Sequence, residues 1–315
     1  MPFLPIASLS EWLSCTGKNG ESGLTKLISP RRQLRELQIR PKKRLGQHFV
    51  VDPNILRKIV DQAGLTTADI IVEIGAGLGT LTAPLAARVQ KVYALEVDPR
   101  LADFLRDQFS GNGQVEVIPE DALRYDFRAL FQQSRRKMKV IANLPYEISS
   151  PMIFRLFEER SCFSLFVLML QMEVARRIVA QPGTKEYGPL SLWSQLYSRP
   201  QVLFAVSPQA FHPRPKVESA VVKFEILREP AVEVGDEKAL QQVIRSAFTY
   251  RRKTLANAIR LGEFSHLSVE KIQQALQSAG IDPTLRGETL SLDQFRDLAR
   301  ALSAVDSRKT FGGLP

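Results

Sequence analysis

Apolar runs of four to six residues recur through the middle of the chain, at 70–74, 92–95, 115–118, 139–142 and 165–170. Runs of that length, closed by glycine or acidic residues, predict buried strands. Helical stretches are expected between them, over 80–89, 99–109, 150–159 and 173–180. Apolar strands alternating with helices predict an α/β fold: a mostly parallel, Rossmann-like sheet covered on both faces. Two later runs, 202–206 and 219–224, lack a long helix between them, so they are expected as an antiparallel pair at the sheet edge. Upstream, Ser29-Pro30 predicts a helix start and a short basic helix over 31–38. Asp52-Pro53 opens another helix, with Ile55, Leu56, Ile59 and Val60 on one face. After residue 225 the pattern becomes helical only, over 238–260, 269–279 and from Ser291 onward. The last helix carries a Ser291-x-x-Gln294 capping box and Phe295, Leu298, Ala299 and Leu302 at helical spacing. The expected plan is a leader at 1–28, an α/β domain at 29–228, a helical domain at 235–303 and a tail at 304–315.

Composition narrows this picture. Of 315 residues, 44% are hydrophobic and 24% charged, which is ordinary for a globular protein with a real core. Lys and Arg number 43 against 33 Asp and Glu, a formal charge of +10. That excess favours polyanionic partners, nucleic acid before acidic membrane, although a merely solvated basic surface reads the same way. Cys15 and Cys162 lie far apart with no CxxC, which argues against a disulfide framework or zinc site and for the cytoplasm. His212 and His266 have no ligand-like neighbours, so no metal is expected. No apolar run approaches the roughly 18 residues of a membrane span. The first 28 residues lack a signal-peptide core, and Glu11 and Glu21 argue against a transit peptide; disorder is expected there.

Chemistry concentrates where strands end. Glu73-Ile74-Gly75-Ala76-Gly77-Leu78-Gly79 joins the first strand to a helix. Glycines at such a turn let backbone approach a ligand, and the helix start offers free N–H groups. The spacing is G-x-G-x-G rather than that of dinucleotide folds, which suits a ligand without a pyrophosphate. Glu96 ends the next strand, where a carboxylate can accept both ribose hydroxyls. Asp121-Ala122 ends the third, where it can hold an adenine amine. S-adenosyl-L-methionine fits this set best.

Asn143-Leu144-Pro145-Tyr146 follows the fourth strand at the same edge. The exocyclic amine of adenine is a poor nucleophile, because its lone pair is delocalised into the ring. A site for it must accept the N–H hydrogens and aim the lone pair. The Asn143 side-chain oxygen and Leu144 carbonyl suit that task, Pro145 stiffens the loop, and Tyr146 offers a stacking face. In Phe211-His212-Pro213-Arg214-Pro215-Lys216-Val217, Phe211 is expected on the second face of the base and Arg214 and Lys216 on phosphates. Tyr250-Arg251-Arg252-Lys253 and Arg260 predict a basic helical stripe for RNA; a solvated helix face reads equally well.

These stretches resemble one family, the bacterial small-subunit ribosomal RNA adenine dimethyltransferases of the kasugamycin-sensitivity type. The resemblance is carried by KKRLGQHFV, VEIGAGLGTLT, LEVD, EDAL, NLPYEISSP, QMEVARRIVAQPGTKEYGPLS, FHPRPKVESAVV, FTYRRKTLANA and LRGETLSLDQF, from Lys42 to Phe295. It implies a class I methyltransferase fold with a helical C-terminal domain. The implied reaction places four methyls on two adjacent adenines of a 3′-terminal hairpin in small-subunit (16S) rRNA, within an immature subunit, by a monomer. Implied cofactor positions are His48, Val50, Gly75, Glu96, Asp121 and Asn143. Where the family commonly has Asn-Phe-Leu, this chain has His48-Phe49-Val50. A single imidazole nitrogen can donate or accept one hydrogen bond, but not both as an amide does, and Val50 is expected to contact by backbone and shape. A 23S adenine methylase conferring macrolide resistance, or an assembly checkpoint acting through RNA binding, are the alternatives.

Overall fold

The computed structural model describes residues 30–42 and 45–306. The expected leader lies outside these residues, as do residues 307–315 of the expected tail, Cys15, Lys43 and Arg44. In chain order the elements begin with α1 (Pro30–Glu36), β1 (Phe49–Val50), α2 (Pro53–Gln62), β2 (Ile70–Ile74), α3 (Thr82–Ala86), β3 (Lys91–Leu95) and α4 (Pro99–Gln108). They continue with β4 (Val115–Ile118), α5 (Phe127–Ser134), β5 (Met138–Asn143), α6 (Ser149–Glu158), β6 (Phe163–Gln171), α7 (Met172–Val179) and α8 (Pro189–Tyr197). Then come β7 (Ser198–Val206), β8 (Phe211–His212), β9 (Ser219–Ile226), α9 (Glu237–Thr249), α10 (Leu255–Leu261), α11 (Val269–Ser278) and α12 (Leu292–Val305).

Local chemistry explains the helix starts. Asp52, Asp98 and Asp126 each accept the N–H two residues on, at 2.9, 3.2 and 3.0 Å, and so cap α2, α4 and α5. Pro follows the first two caps, where its missing N–H costs nothing. The Ser291–Gln294 capping box of α12 is formed in both directions.

The seven-stranded sheet runs β4-β3-β2-β5-β6-β9-β7. β4, β3, β2, β5 and β6 are parallel, and β9 returns antiparallel along β6, with Phe166 opposite Phe224. Ile71, Val92, Ile141 and Val167 are fully buried in its core, each contributing about 2 kcal/mol by leaving water. Strand order reverses at β2, with β3 on one side and β5 on the other. The crevice beyond the carboxyl ends of β2 and β5 is therefore the natural ligand position. The two late strands are sheet neighbours, with β7 at the edge and β9 inside it. A two-stranded ribbon that periodicity does not reveal pairs β1 with β8, setting Phe49 opposite His212 and Val50 opposite Phe211.

Two compact units divide the chain, one within Met1–Ala175 and Gln201–Ile226, the other within Arg176–Pro200 and Leu227–Pro315. In the second, α9 packs along α12 with the rings of Phe248 and Phe295 stacked at 6.0 Å. The Tyr187 hydroxyl donates to the Leu290 carbonyl at 3.0 Å in the same unit. Helix α8 is absent from the sequence reading because it is buried nearly all round, Ser191 and Ser194 together with Leu190, Leu192, Trp193, Leu196 and Tyr197. The helix expected over 238–260 is two helices, interrupted by a turn at 250–254. There the Lys253 N–H bonds the Tyr250 carbonyl and the Leu255 N–H is taken by Leu285. Arg251, Arg252 and Lys253 therefore sit on a turn, not on a helical stripe. Among the described residues no helix is long and apolar enough to cross a membrane. Among the same residues, no group of three or more His, Cys, Asp or Glu is placed to hold a metal ion.

Candidate active site

The glycine turn leaves β2 with Gly75 and Gly77 at φ 73° and 60°. A Cβ on Gly77 would lie 3.0 Å from the Phe49 ring, so glycine is required there twice over, for backbone and for space. The turn is tied to the end of β3. The N–H groups of Gly75 and Ala76 donate to the Leu95 carbonyl, and the Gly77 N–H donates to Glu96 Oε2 at 2.9 Å. The Asp98 N–H donates to Glu96 Oε1 at 2.9 Å. Burial pushes the Glu96 carboxyl above its ordinary value, and these two N–H donors oppose that push. Each oxygen keeps a second lone pair for further donors. Lys42 Nζ reaches Asp98 Oδ2 at 2.7 Å, which ties the segment before β1 to the cap of α4.

Beneath the turn lies an acid that strand periodicity had concealed. Glu73 is 2% exposed and accepts the Thr82 hydroxyl at 2.6 Å. Burial raises its carboxyl to about 8, with the charge of Glu96 adding to the effect. It is therefore predominantly protonated at neutral pH. The signal available in sequence was an acid inside an otherwise apolar strand.

On the far wall, β5 delivers Asn143. Its Nδ2 donates to the His48 carbonyl at 2.8 Å, which sets the amide so that Oδ1 is the remaining polar atom. Leu144 is buried and its N–H goes to the Met169 carbonyl. Pro145 accepts the Ser149 hydroxyl at 3.0 Å. Tyr146 donates to or accepts from Ser219 Oγ at 2.7 Å, and burial keeps its phenol above its ordinary value. The His48 ring stands 5.2 Å from the Tyr146 ring with a 30° tilt. His48 Nδ1 lies 2.7 Å from the Pro213 carbonyl. A carbonyl only accepts, so the ring proton is on Nδ1.

One cleft is lined by His48, Gly75, Gly77, Glu96, Asp121, Ala122, Asn143, Leu144, Pro145 and Tyr146, which the sequence had singled out at separate strand ends. Asp121 is half-buried and its Oδ1 accepts the Leu123 N–H at 3.0 Å. The space amounts to about 690 Å³ including the open mouth. Leu45, Phe49 and Val97 line it too and were not anticipated. Val97 is exposed there, an apolar side chain beside an acid.

Other expected residues are elsewhere. Phe211, expected on the second face of a base, is 1% exposed and belongs to the core with Val206, Val221 and Met169. Val50, expected to touch a cofactor, is 3% exposed and packs in the same core. The β1–β8 ribbon, which pairs Val50 with Phe211, places both side chains there. Arg214 and Lys216 are exposed on the loop before β9. In the second unit, Arg251 Nε pairs with Glu288 at 2.7 Å and its Nη2 donates to the Lys185 carbonyl at 2.5 Å. Arg252 and Lys253 are exposed.

Comparison with known proteins gives the family of the chain. Residues 39–303 match the ribosomal RNA adenine dimethylase family. The ribosomal RNA small subunit methyltransferase A of Pelotomaculum thermopropionicum is 46% identical over 274 residues, covering 84% of this chain and 92% of its own. That of Geobacter metallireducens is 44% identical over 271 residues, covering 86% and 98%. A solved dimethyladenosine transferase from Plasmodium falciparum superposes with a TM-score of 0.70 at 26% identity, over 82% of this chain and 98% of that one. The 23S rRNA methyltransferase ErmE superposes at 0.60 with 24% identity, over 81% and 99%, a likeness of fold alone. This chain therefore belongs to the ribosomal RNA adenine dimethylase family and is an rRNA adenine dimethyltransferase on a class I methyltransferase fold.

Proposed function

We propose that the chain dimethylates the N6 amines of two adjacent adenines in the 3′-terminal hairpin of small-subunit (16S) rRNA, acting as a monomer on an immature subunit in the cytoplasm. The observation that carries this reading is the Asn143 amide, turned by the His48 carbonyl so that its oxygen is left to accept an amine hydrogen.

The cleft suits S-adenosyl-L-methionine as methyl donor. Gly75 and Gly77 line the cleft with backbone, and Glu96 is anchored by two N–H groups with lone pairs to spare for ribose hydroxyls. Asp121 and Ala122 form the wall where an adenine amine would be held. When bound, the cofactor supplies an electrophilic methyl group.

The residues of the chain do the positioning. Asn143 Oδ1 and the Leu144 carbonyl accept the two N6 hydrogens, which localises the amine lone pair and sets its direction. Tyr146 stacks on the target base, its hydroxyl held by Ser219. No general base is needed in the bond-forming step, because the methylated amine is acidic enough to lose its proton to water. Rate enhancement then comes from orientation and fixed dipoles. The adenine must arrive unpaired or flipped from its helix. Arg214, Lys216, Arg252 and Lys253 are exposed cations for phosphates, whereas the charge of Arg251 is committed to Glu288.

Incubation with labelled S-adenosyl-L-methionine and under-methylated small subunits, followed by mass mapping of the RNA, tests the reading. Label on two adjacent N6 positions of the 3′-terminal hairpin is expected. Label only in large-subunit RNA, or none on adenine N6, would overturn it.

A further inference from the structure

His48 stands at the junction of two stretches that lie far apart in sequence. Its backbone carbonyl holds the Asn143 amide at 2.8 Å. Its Nδ1–H donates to the Pro213 carbonyl at 2.7 Å, across 165 positions of sequence. Its ring lies 5.2 Å from Tyr146, tilted 30°. The Tyr146 hydroxyl is held in turn by Ser219, which is fully buried at the start of β9. Every one of these partners belongs to the wall that receives the target amine or to the loop that adjoins it.

We infer that the His48 imidazole is a positioning residue for the target adenine, acting through Tyr146. The inference rests on Tyr146 as the stacking face. A tyrosine ring can turn about its bond to Cβ and swing about Cα–Cβ. A hydroxyl anchor restrains one end of it, and a second ring beside the tyrosine restrains its plane. His48 is itself restrained by the Pro213 carbonyl, so the support does not give way. With both restraints in place, the ring meets the base already oriented, and stacking loses less to ordering.

The test compares His48→Ala, His48→Phe and Tyr146→Ala in the full-length enzyme. Cofactor affinity is measured by calorimetry, and kcat and KM are measured on under-methylated small subunits at saturating S-adenosyl-L-methionine. An aromatic contact of this kind predicts that His48→Ala lowers kcat/KM for the subunit about tenfold, with cofactor Kd within about twofold of wild type. His48→Phe keeps a ring but loses the donor, so it recovers part of that loss. In a Tyr146→Ala background, His48→Ala has little left to remove, so the two losses fall short of additive. Three results would overturn the inference: a rise in cofactor Kd that accounts for the whole effect of His48→Ala, a His48→Phe no better than His48→Ala, or fully additive losses. Wild-type kcat/KM in Tyr146→Ala alone would instead sink the stacking role on which the inference rests, and a melting curve of each variant shows that it is folded.

Discussion

Replacing Asn143 by alanine removes two things at once. The first is Oδ1, the acceptor proposed for an amine hydrogen of the target adenine. A hydrogen bond to a group that gains charge is worth about 1.5–3 kcal/mol, or roughly 10- to 150-fold in rate. The second is the 2.8 Å bond from Nδ2 to the His48 carbonyl, which ties the acceptor loop to the segment before β1. Losing that tie lets the two walls drift, and a misplacement of about 1 Å costs on the order of 100-fold. Asn143→Ala should therefore slow methyl transfer by roughly 10²- to 10⁴-fold, the upper end applying where both losses act in full. Asn143→Asp separates the two. It keeps an acceptor oxygen but sets a second oxygen against the His48 carbonyl, so it should lose the tie and retain part of the acceptance. Single-turnover methylation with labelled cofactor on under-methylated subunits measures the chemical step, and calorimetry measures cofactor binding separately. A loss below about tenfold for Asn143→Ala at saturating cofactor, or a loss that lies wholly in cofactor affinity, would refute the amine-positioning role.

Three further outcomes are expected. Gly77→Ala forces a side chain into positive φ and against the Phe49 ring at 3.0 Å; the turn must shift, the Gly77 N–H leaves Glu96, and cofactor Kd should rise by about tenfold or more, as titration calorimetry would show. Glu73 has its carboxyl raised to about 8 from an ordinary 4.5. In the unfolded chain it ionises first, so native stability attributable to it is complete below about pH 4.5 and falls as pH rises toward 8. Glu73→Gln should flatten the decline of Tm across that window and match or exceed wild type at its upper end; an unchanged pH profile would contradict the raised carboxyl. Phe211→Leu leaves a void among Val206, Val221 and Met169 and should lower stability by about 1 kcal/mol or more, while leaving methylation at 25 °C within about threefold. A large fall in kcat/KM at unchanged Tm would instead restore Phe211 to the base.

The pattern of apolar runs was enough to determine the parallel sheet, because a strand buried on both faces must be apolar along its whole length. Motif chemistry was equally local: Gly77, Glu96, Asp121 and Asn143 lie at or just past the carboxyl end of a strand, and open parallel sheets place those ends along one edge. Capping also lies in short sequence, as Asp52-Pro53 and Ser291-x-x-Gln294 show. Other features depended on residues far apart. Phe211 reads as an exposed stacking ring until β8 pairs with β1 and buries it opposite Val50. A two-residue strand carries no periodicity from which that pairing could be read. Helix α8 buries its serines along with its apolar residues, and the break at 250–254 is held by Leu285, thirty positions from Leu255. The protonated state of Glu73 follows from complete burial, which the surrounding fold imposes. The orientation of the Asn143 amide was decided only when the chain brought the His48 carbonyl within 2.8 Å. Sequence determines which groups are available at each strand end; tertiary structure decides which way they face, because direction depends on a partner that the chain supplies from elsewhere.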